Sequence, residues 1–188
     1  MVVLFIDTCN RLLALGLEKD GCLIYKKEYD AFKKQSELLA SEIDECLKVN
    51  NIKPSEVDKV VVTNGPGSYT GIRIGLTFAK VFAASLNIPL VVMSSLLALA
   101  GNKENVVSLI DARSKRAYYG IYNKGEVIRE DSVDYLENIK IDGYNLVGDT
   151  YLFNLEEKEN SIVENMFNVY KNLDEVDSRS AKAIYLKD

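Results

Sequence analysis

Two aspartates stand at matching places in the chain: Asp7 closes the apolar run Val3-Leu4-Phe5-Ile6, and Asp111 closes Val107-Ser108-Leu109-Ile110. A carboxylate at the end of a buried strand can hold a magnesium-bound nucleotide or act as a base. It can equally be structural, with Asp7 capping its own loop and Asp111 pairing with nearby Arg113. Between the two lies Gly65-Pro66-Gly67-Ser68-Tyr69-Thr70-Gly71-Ile72-Arg73-Ile74-Gly75, entered through Val60-Val61-Val62-Thr63. That order reads as strand, tight turn, helix, with Ser68 or Thr70 able to cap the helix amides. Free amides at such a start can cradle an anion. The same glycines suit any strand-to-helix turn of an α/β domain, and neither a Walker lysine nor dinucleotide spacing follows, so a structural loop is the simpler reading. Arg113, Lys115 and Arg116 form a small basic cluster, suited to phosphate or RNA, or equally to a solvated turn.

Composition narrows the chemistry. The 188 residues include no histidine, which removes Ser-His and Cys-His nucleophile pairs, imidazole zinc sites and the usual general base near neutral pH. Cys9, Cys22 and Cys46 make no Cys-x-x-Cys pair, and an odd number cannot close a full disulfide set, so they read as reduced thiols of a cytoplasmic protein. A net charge of −5 disfavours tight binding of nucleic acid by the chain alone. Met1 to Ile6 is too short an apolar run for a signal segment or a membrane span.

The elements that must position these residues follow from periodicity. Met1 to Ile6, Leu12 to Leu17 and Cys22 to Tyr29 read as a three-stranded meander, with Asp20-Gly21 as the last hairpin turn. Leu39, Ile43, Cys46 and Leu47 recur at helical spacing between Gln35 and Val49, leaving Leu38 and Val49 off the main stripe. The helix from Thr70 to Leu86 is apolar nearly all round, with a narrow polar stripe through Arg73, Thr77, Lys80 and Ala84. A helix lying only on a sheet keeps a wider polar face, so a second neighbour is expected, either the helix from residue 35 or another chain. Ile88 to Met93 is a further strand, and Ser94-Ser95 caps a helix to about Ala100. Ser161 to Leu173 is moderately helical, and Ala181 to Lys187 is a short apolar tail able to dock on the body.

An internal repeat organises all this. Asp7 and Asp111, Gly16 and Gly120, and Gly21 and Gly125 are each 104 residues apart, at corresponding places in a strand-turn-strand meander. The expected fold is α/β and duplicated, with two β-β-β-α-β-α subdomains of the actin-like, RNase H-like (ASKHA) kind. The first spans residues 1–101 and the second, reduced, residues 102–188. In that architecture the two strand ends face one cleft, which makes a small ATP-dependent phosphotransferase using Asp7 and Asp111 the alternative function. Such an enzyme also needs a glycine-rich adenine site late in the second half, where residues 145–188 offer only Gly148.

Taken together, Ile6-Asp7-Thr8, the stretch from Gly65 to Gly75, Ser94-Ser95-Leu96, Ile110-Asp111-Ala112-Arg113 and Ala183-Ile184-Tyr185-Leu186 resemble the TsaB (YeaZ) family. The resemblance implies a non-catalytic partner of the larger TsaD protein. With the ATPase TsaE, that pair transfers a threonylcarbamoyl group to adenosine 37 of tRNAs reading codons that begin with A. It implies no cofactor on this chain, with ATP and metal on the partners, tRNA reached only through the complex, and a homodimer in isolation. It places the contact on the two helices of the first half, here through Leu38, Leu39, Glu42, Ile43, Ile72, Arg73, Leu76, Thr77, Lys80 and Ala83. Gly65, Pro66, Gly67, Ser68, Thr70 and Gly71 are the family's motif loop, and Asp7, Asp111 and Arg113 a vestigial cleft. TsaD carries a histidine pair for its metal after the strand equivalent to 90–93. Here Ser94 to Leu99 stand there, so metal and transfer chemistry are not expected. A histidine common in the family before the first helix is here Gln35, and the second half is shorter.

Overall fold

The computed structural model describes residues 1–186. Strands β1 (Val2–Asp7), β2 (Leu12–Lys19) and β3 (Cys22–Asp30) form the antiparallel meander, and Asp20 and Gly21 turn the second hairpin at φ 52° and 86°. Helix α1 (Gln35–Val49), β4 (Lys59–Thr63), α2 (Tyr69–Leu86), β5 (Leu90–Met93) and α3 (Ser95–Ala100) follow. β4 runs parallel to β1 and β5 parallel to β4, giving the order β3-β2-β1-β4-β5. β1 is buried along its whole length, as a near-continuous apolar run covered on both faces must be.

The second half repeats this winding with one strand fewer. β6 (Val106–Arg113), β7 (Arg116–Asn123), β8 (Glu126–Tyr135) and β9 (Asn145–Gly148) are ordered β8-β7-β6-β9, with β9 parallel to β6. A single helical turn, Leu136–Asn138, replaces the first half's long helix between third and fourth strands. Gly21 and Gly125 turn equivalent hairpins at φ 86° and 83°. The middle match is out of step: Gly16 lies opposite Phe5, whereas Gly120 lies opposite Ser108 instead of Leu109. An irregularity between Asp111 and Arg113 shifts that hairpin by one residue.

The chain then leaves the second sheet. α4 (Ile162–Val169) packs against β1, β2 and β3, and β10 (Glu175–Val176) pairs antiparallel with β5 at the edge of the first sheet. The unit read as 102–188 is therefore corrected: from α4 onward the chain completes the first sheet. The cause is local. Glu28 of β3 accepts hydrogen bonds from Ser161 Oγ at 2.7 Å and the Val163 amide at 2.9 Å, placing a carboxylate at the amide end of α4. Phe5 meets the rings of Phe167 and Tyr170 edge-on at 6.4 and 5.2 Å.

Three apolar clusters define the layers. Leu4, Ile6, Leu15 and Val62 pack with Leu39, Ile43, Leu76 and Ala83 between the first sheet and α1/α2. Val3, Phe5 and Val61 pack with α3, α4 and the inner residues Val106 and Ile110 of the second sheet. Val107, Leu109 and Tyr119 close the outer face of the second sheet with Ile139. Among the described residues, no helix is long and apolar enough to cross a membrane.

Candidate partner-binding face

The motif loop is spent on the protein itself. The Ser68 amide donates to the Cys9 carbonyl at 2.7 Å, the Gly71 amide to Ser68 Oγ at 3.2 Å, and the Ser95 amide to the Gly65 carbonyl at 2.8 Å. The Gly65–Pro66 peptide is cis, and Gly65 sits at φ 108° with Ile184 pressed against it. A Cβ at Gly75 would lie 2.5 Å from Thr8 Oγ1, while Thr8 Oγ1 itself donates to the Gly71 carbonyl at 2.7 Å. The glycines thus let α2 settle on the loop after β1. Of the two readings open for this loop, the geometry is that of the structural one.

That close approach decides which side of α2 faces inward. Gly71, Ile72, Gly75, Leu76, Ala79 and Ala83 are buried, while Thr70, Arg73, Thr77, Val81 and Ala84 are exposed. Five of the ten expected contact residues are thereby corrected. Leu39, Ile43, Ile72, Leu76 and Ala83 lie in this chain's own core at 6% exposure or less, and of the five only Leu39 reaches the groove described below, at its floor. Arg73 and Thr77 are exposed, and Leu38, Glu42 and Lys80 are half-buried. Glu42 is held by Lys27 at 2.6 Å and by Tyr29 Oη at 2.7 Å, and Lys80 donates to the Ala181 carbonyl at 2.9 Å. Between the helices runs an open groove of about 500 Å³, floored by Leu39, Ile74 and Phe78 and edged by Ser36, Ala40, Tyr69, Thr70, Arg73 and Thr77. Ser36, Ala40, Tyr69, Ile74 and Phe78 are the groove residues missed in the sequence. Phe78 stacks on Phe82, one turn further along α2, with ring centroids 5.9 Å apart.

A second, larger cleft of about 780 Å³ opens between the halves. Asp111 and Arg113 line it, but Asp7 does not. Asp7 is buried, accepts from Thr63 Oγ1 and from the Cys9 amide at 3.3 Å, and is pushed above the ordinary carboxylate range chiefly by burial. It caps its own loop, and the pairing of two strand-end carboxylates across one cleft is corrected. Asp111 accepts from its neighbour's backbone, the Arg113 amide at 2.7 Å, and not from the guanidinium. Asp149, unforeseen in the sequence, takes the Asp111 amide at 2.6 Å, and burial raises its carboxyl. The phenol of Tyr151 is pushed up to about 12, first by burial and then by Asp149 and Asp111.

The fold class implies a magnesium nucleotide in such a cleft, and these residues do not fit one. Asp30, Asp111, Asp149 and Glu157 outnumber Arg11, Arg113 and Lys158, and Arg11 is tied to Asp30 at 2.5 Å. The nearby helix start has turned its Ser68 and Gly71 amides to protein acceptors. Among the described residues, no group of three or more His, Cys, Asp or Glu could hold a metal ion.

Two sheets of like winding, helices packed between them and a cleft at the strand ends define the duplicated actin-like, RNase H-like class of α/β protein. The family model described as "TsaD: tRNA N6-adenosine threonylcarbamoyltransferase" matches residues 29–166. The protein named "tRNA threonylcarbamoyladenosine biosynthesis protein TsaB" from Bacillus subtilis (strain 168) is 36% identical over 154 residues, covering 74% of this chain and 66% of that one. Its namesake from Haemophilus influenzae is 32% identical over 133 residues, covering 63% and 54%. The chain spans between about half and two thirds of the length of these curated relatives. The structure described as "YeaZ from Pseudomonas aeruginosa" matches with a TM-score of 0.82 at 20% identity over 98% of this chain and 99% of that one, a likeness of fold. The chain belongs to the TsaD-type family, in its TsaB (YeaZ) branch.

Proposed function

We propose that the chain is a non-catalytic accessory protein of threonylcarbamoyladenosine formation on tRNA, working by holding a larger TsaD-type homologue against its α1–α2 face. The observation that carries the reading is the groove between these helices, where half-buried Ile74 and Phe78 line the surface beside exposed Ala40 and Thr77. A protein contact of ordinary size covers about 800 Å² per partner, which two helices of this length can supply. In isolation the same face pairs with a second copy, and the larger homologue displaces that copy. A TsaE-type ATPase joins the assembled pair. ATP and metal are held by the partners, and tRNA meets the complex and not the lone chain, in keeping with a net charge of −5.

The test is reconstitution with purified components. The chain and a TsaD-type protein should co-elute as a complex, and tRNA should acquire the modification only when both are present with TsaE. Thr77→Arg should abolish the complex. A chain that modifies tRNA alone, or that hydrolyses magnesium-ATP alone, would overturn the reading.

A further inference from the structure

We propose that the strap formed by residues 177–186 is a working part of the partner face, fixing the first turn of α2 and, through Tyr185, holding Arg73 at the rim of the groove. This rests on the reading of the α1–α2 groove as the contact surface.

The strap has no helix or strand of its own; Asp177 closes a turn on the Arg179 and Ser180 amides, and from Ala181 onward its hydrogen bonds go to Asn64, just ahead of the motif loop, and to α2. Asn64, 6% exposed, donates from Nδ2 to the Lys182 carbonyl at 2.9 Å, and its own carbonyl accepts from the Ile184 amide at 2.7 Å. Lys80 Nζ donates to the Ala181 carbonyl at 2.9 Å, about three turns into the helix. The strap is thus tied both ahead of α2 and midway along it. The Ile184 carbonyl oxygen lies 2.4 Å from where a Cβ at residue 65 would sit, so the strap also accounts for Gly65.

From there the contact passes outward by stacking. Tyr185 and Tyr69 place their ring centroids 5.0 Å apart with 33° between planes. The Tyr69 hydroxyl accepts from Arg73 Nη1 at 3.0 Å, and the guanidinium lies 5.3 Å from the Tyr69 ring centroid. Tyr69 and Arg73 edge the groove. Both tyrosines are about half exposed, so neither ring is fixed by the core, and each limits the other's rotamers. A guanidinium held in one place is less costly to bind than a free one. The surface this fits is an apolar helix carrying a carboxylate opposite Arg73. Tyr185 is a positioning residue here.

The experiment uses the full chain with Tyr185→Ala, Tyr185→Phe and Lys80→Met. Amide exchange at residues 69–73 is measured in the free chain, and affinity for a purified TsaD-type protein alongside it. Tyr185→Ala should speed exchange in that turn and weaken affinity about three- to tenfold, the range of one aromatic pair, without moving the melting temperature. Lys80→Met should speed the same exchange, and Tyr185→Phe, which keeps the ring, should behave as wild type. Unchanged exchange in both Tyr185→Ala and Lys80→Met overturns the strap's role. Faster exchange with full affinity, while Thr77→Arg still abolishes the complex, overturns its part in the contact but leaves the face intact. If Thr77→Arg binds normally, the face reading itself has failed, whatever the exchange shows.

Discussion

Leu76 and Thr77 are neighbours on α2 with opposite duties, and separating them tests the whole assignment of the helix. Leu76 is 6% exposed within the cluster beneath the first sheet. Cutting it to alanine removes three carbons from a packed interior, a change that costs about 2–5 kcal/mol. For a chain of this size each kcal/mol moves the melting temperature about 2–4 °C, so Leu76→Ala should melt roughly 4–20 °C lower. A typical stability of about 5–15 kcal/mol leaves it folded at room temperature. Thr77 points into the groove, and Thr77→Arg should change stability by no more than about 0.5 kcal/mol. It places a second guanidinium beside Arg73 on a surface that must be desolvated, and should weaken association with a TsaD-type partner at least about tenfold. Thermal melts and titration calorimetry read the two effects separately. A Leu76→Ala chain that melts within about 2 °C of wild type but no longer binds would refute the assignment, as would a Thr77→Arg chain that binds fully.

Three further outcomes follow from the packing. Gly75→Ala should destabilise by about 1–3 kcal/mol despite alanine's helix preference, because its Cβ meets Thr8 Oγ1 at 2.5 Å; chemical denaturation should show much of that loss restored in a Thr8→Ala background. Asp7→Asn should stabilise the fold more at pH 7 than at pH 4: burial raises the folded carboxyl's pKa, so its contribution is present below the ordinary carboxylate range and lost as pH climbs through the raised value. An equal gain at both pH values in paired melts would count against this. Tyr170→Phe removes the donor 2.5 Å from Oε2 of the fully buried Glu18 and should cost about 2–3 kcal/mol by denaturant titration.

The sequence carried the first half well because its signals are local. The four β-favouring residues before Gly65, the serine at the start of α2 and the Asp20-Gly21 turn each name their own structure. Orientation of α2 was less legible, since a helix apolar nearly all round has little contrast between faces. Two glycines decide it by allowing Thr8 to approach, which periodicity does not register. Leu76 and Ala83, which the family resemblance alone places at the contact, are core. The two aspartates occupy like positions in the repeat but unlike surroundings: Thr63 and Cys9 enclose Asp7, while Asp111 opens on the cleft. The return of α4 to the first sheet depends on Glu28, more than 130 residues away from its partners, and no local pattern announces it.

The placement of β10 has a bearing on how the chain is made. β5 is laid down by residue 93, yet among the described residues its outer edge is covered by Glu175 and Val176 alone, with Glu175 also paired to Lys59. During synthesis the nascent amino-terminal half therefore carries a bare strand edge, open to pairing with other chains, until residue 176 has left the ribosome. Newly made chains are exposed to aggregation over that interval, and a nonsense product ending between α3 and β10 keeps the exposed edge for good.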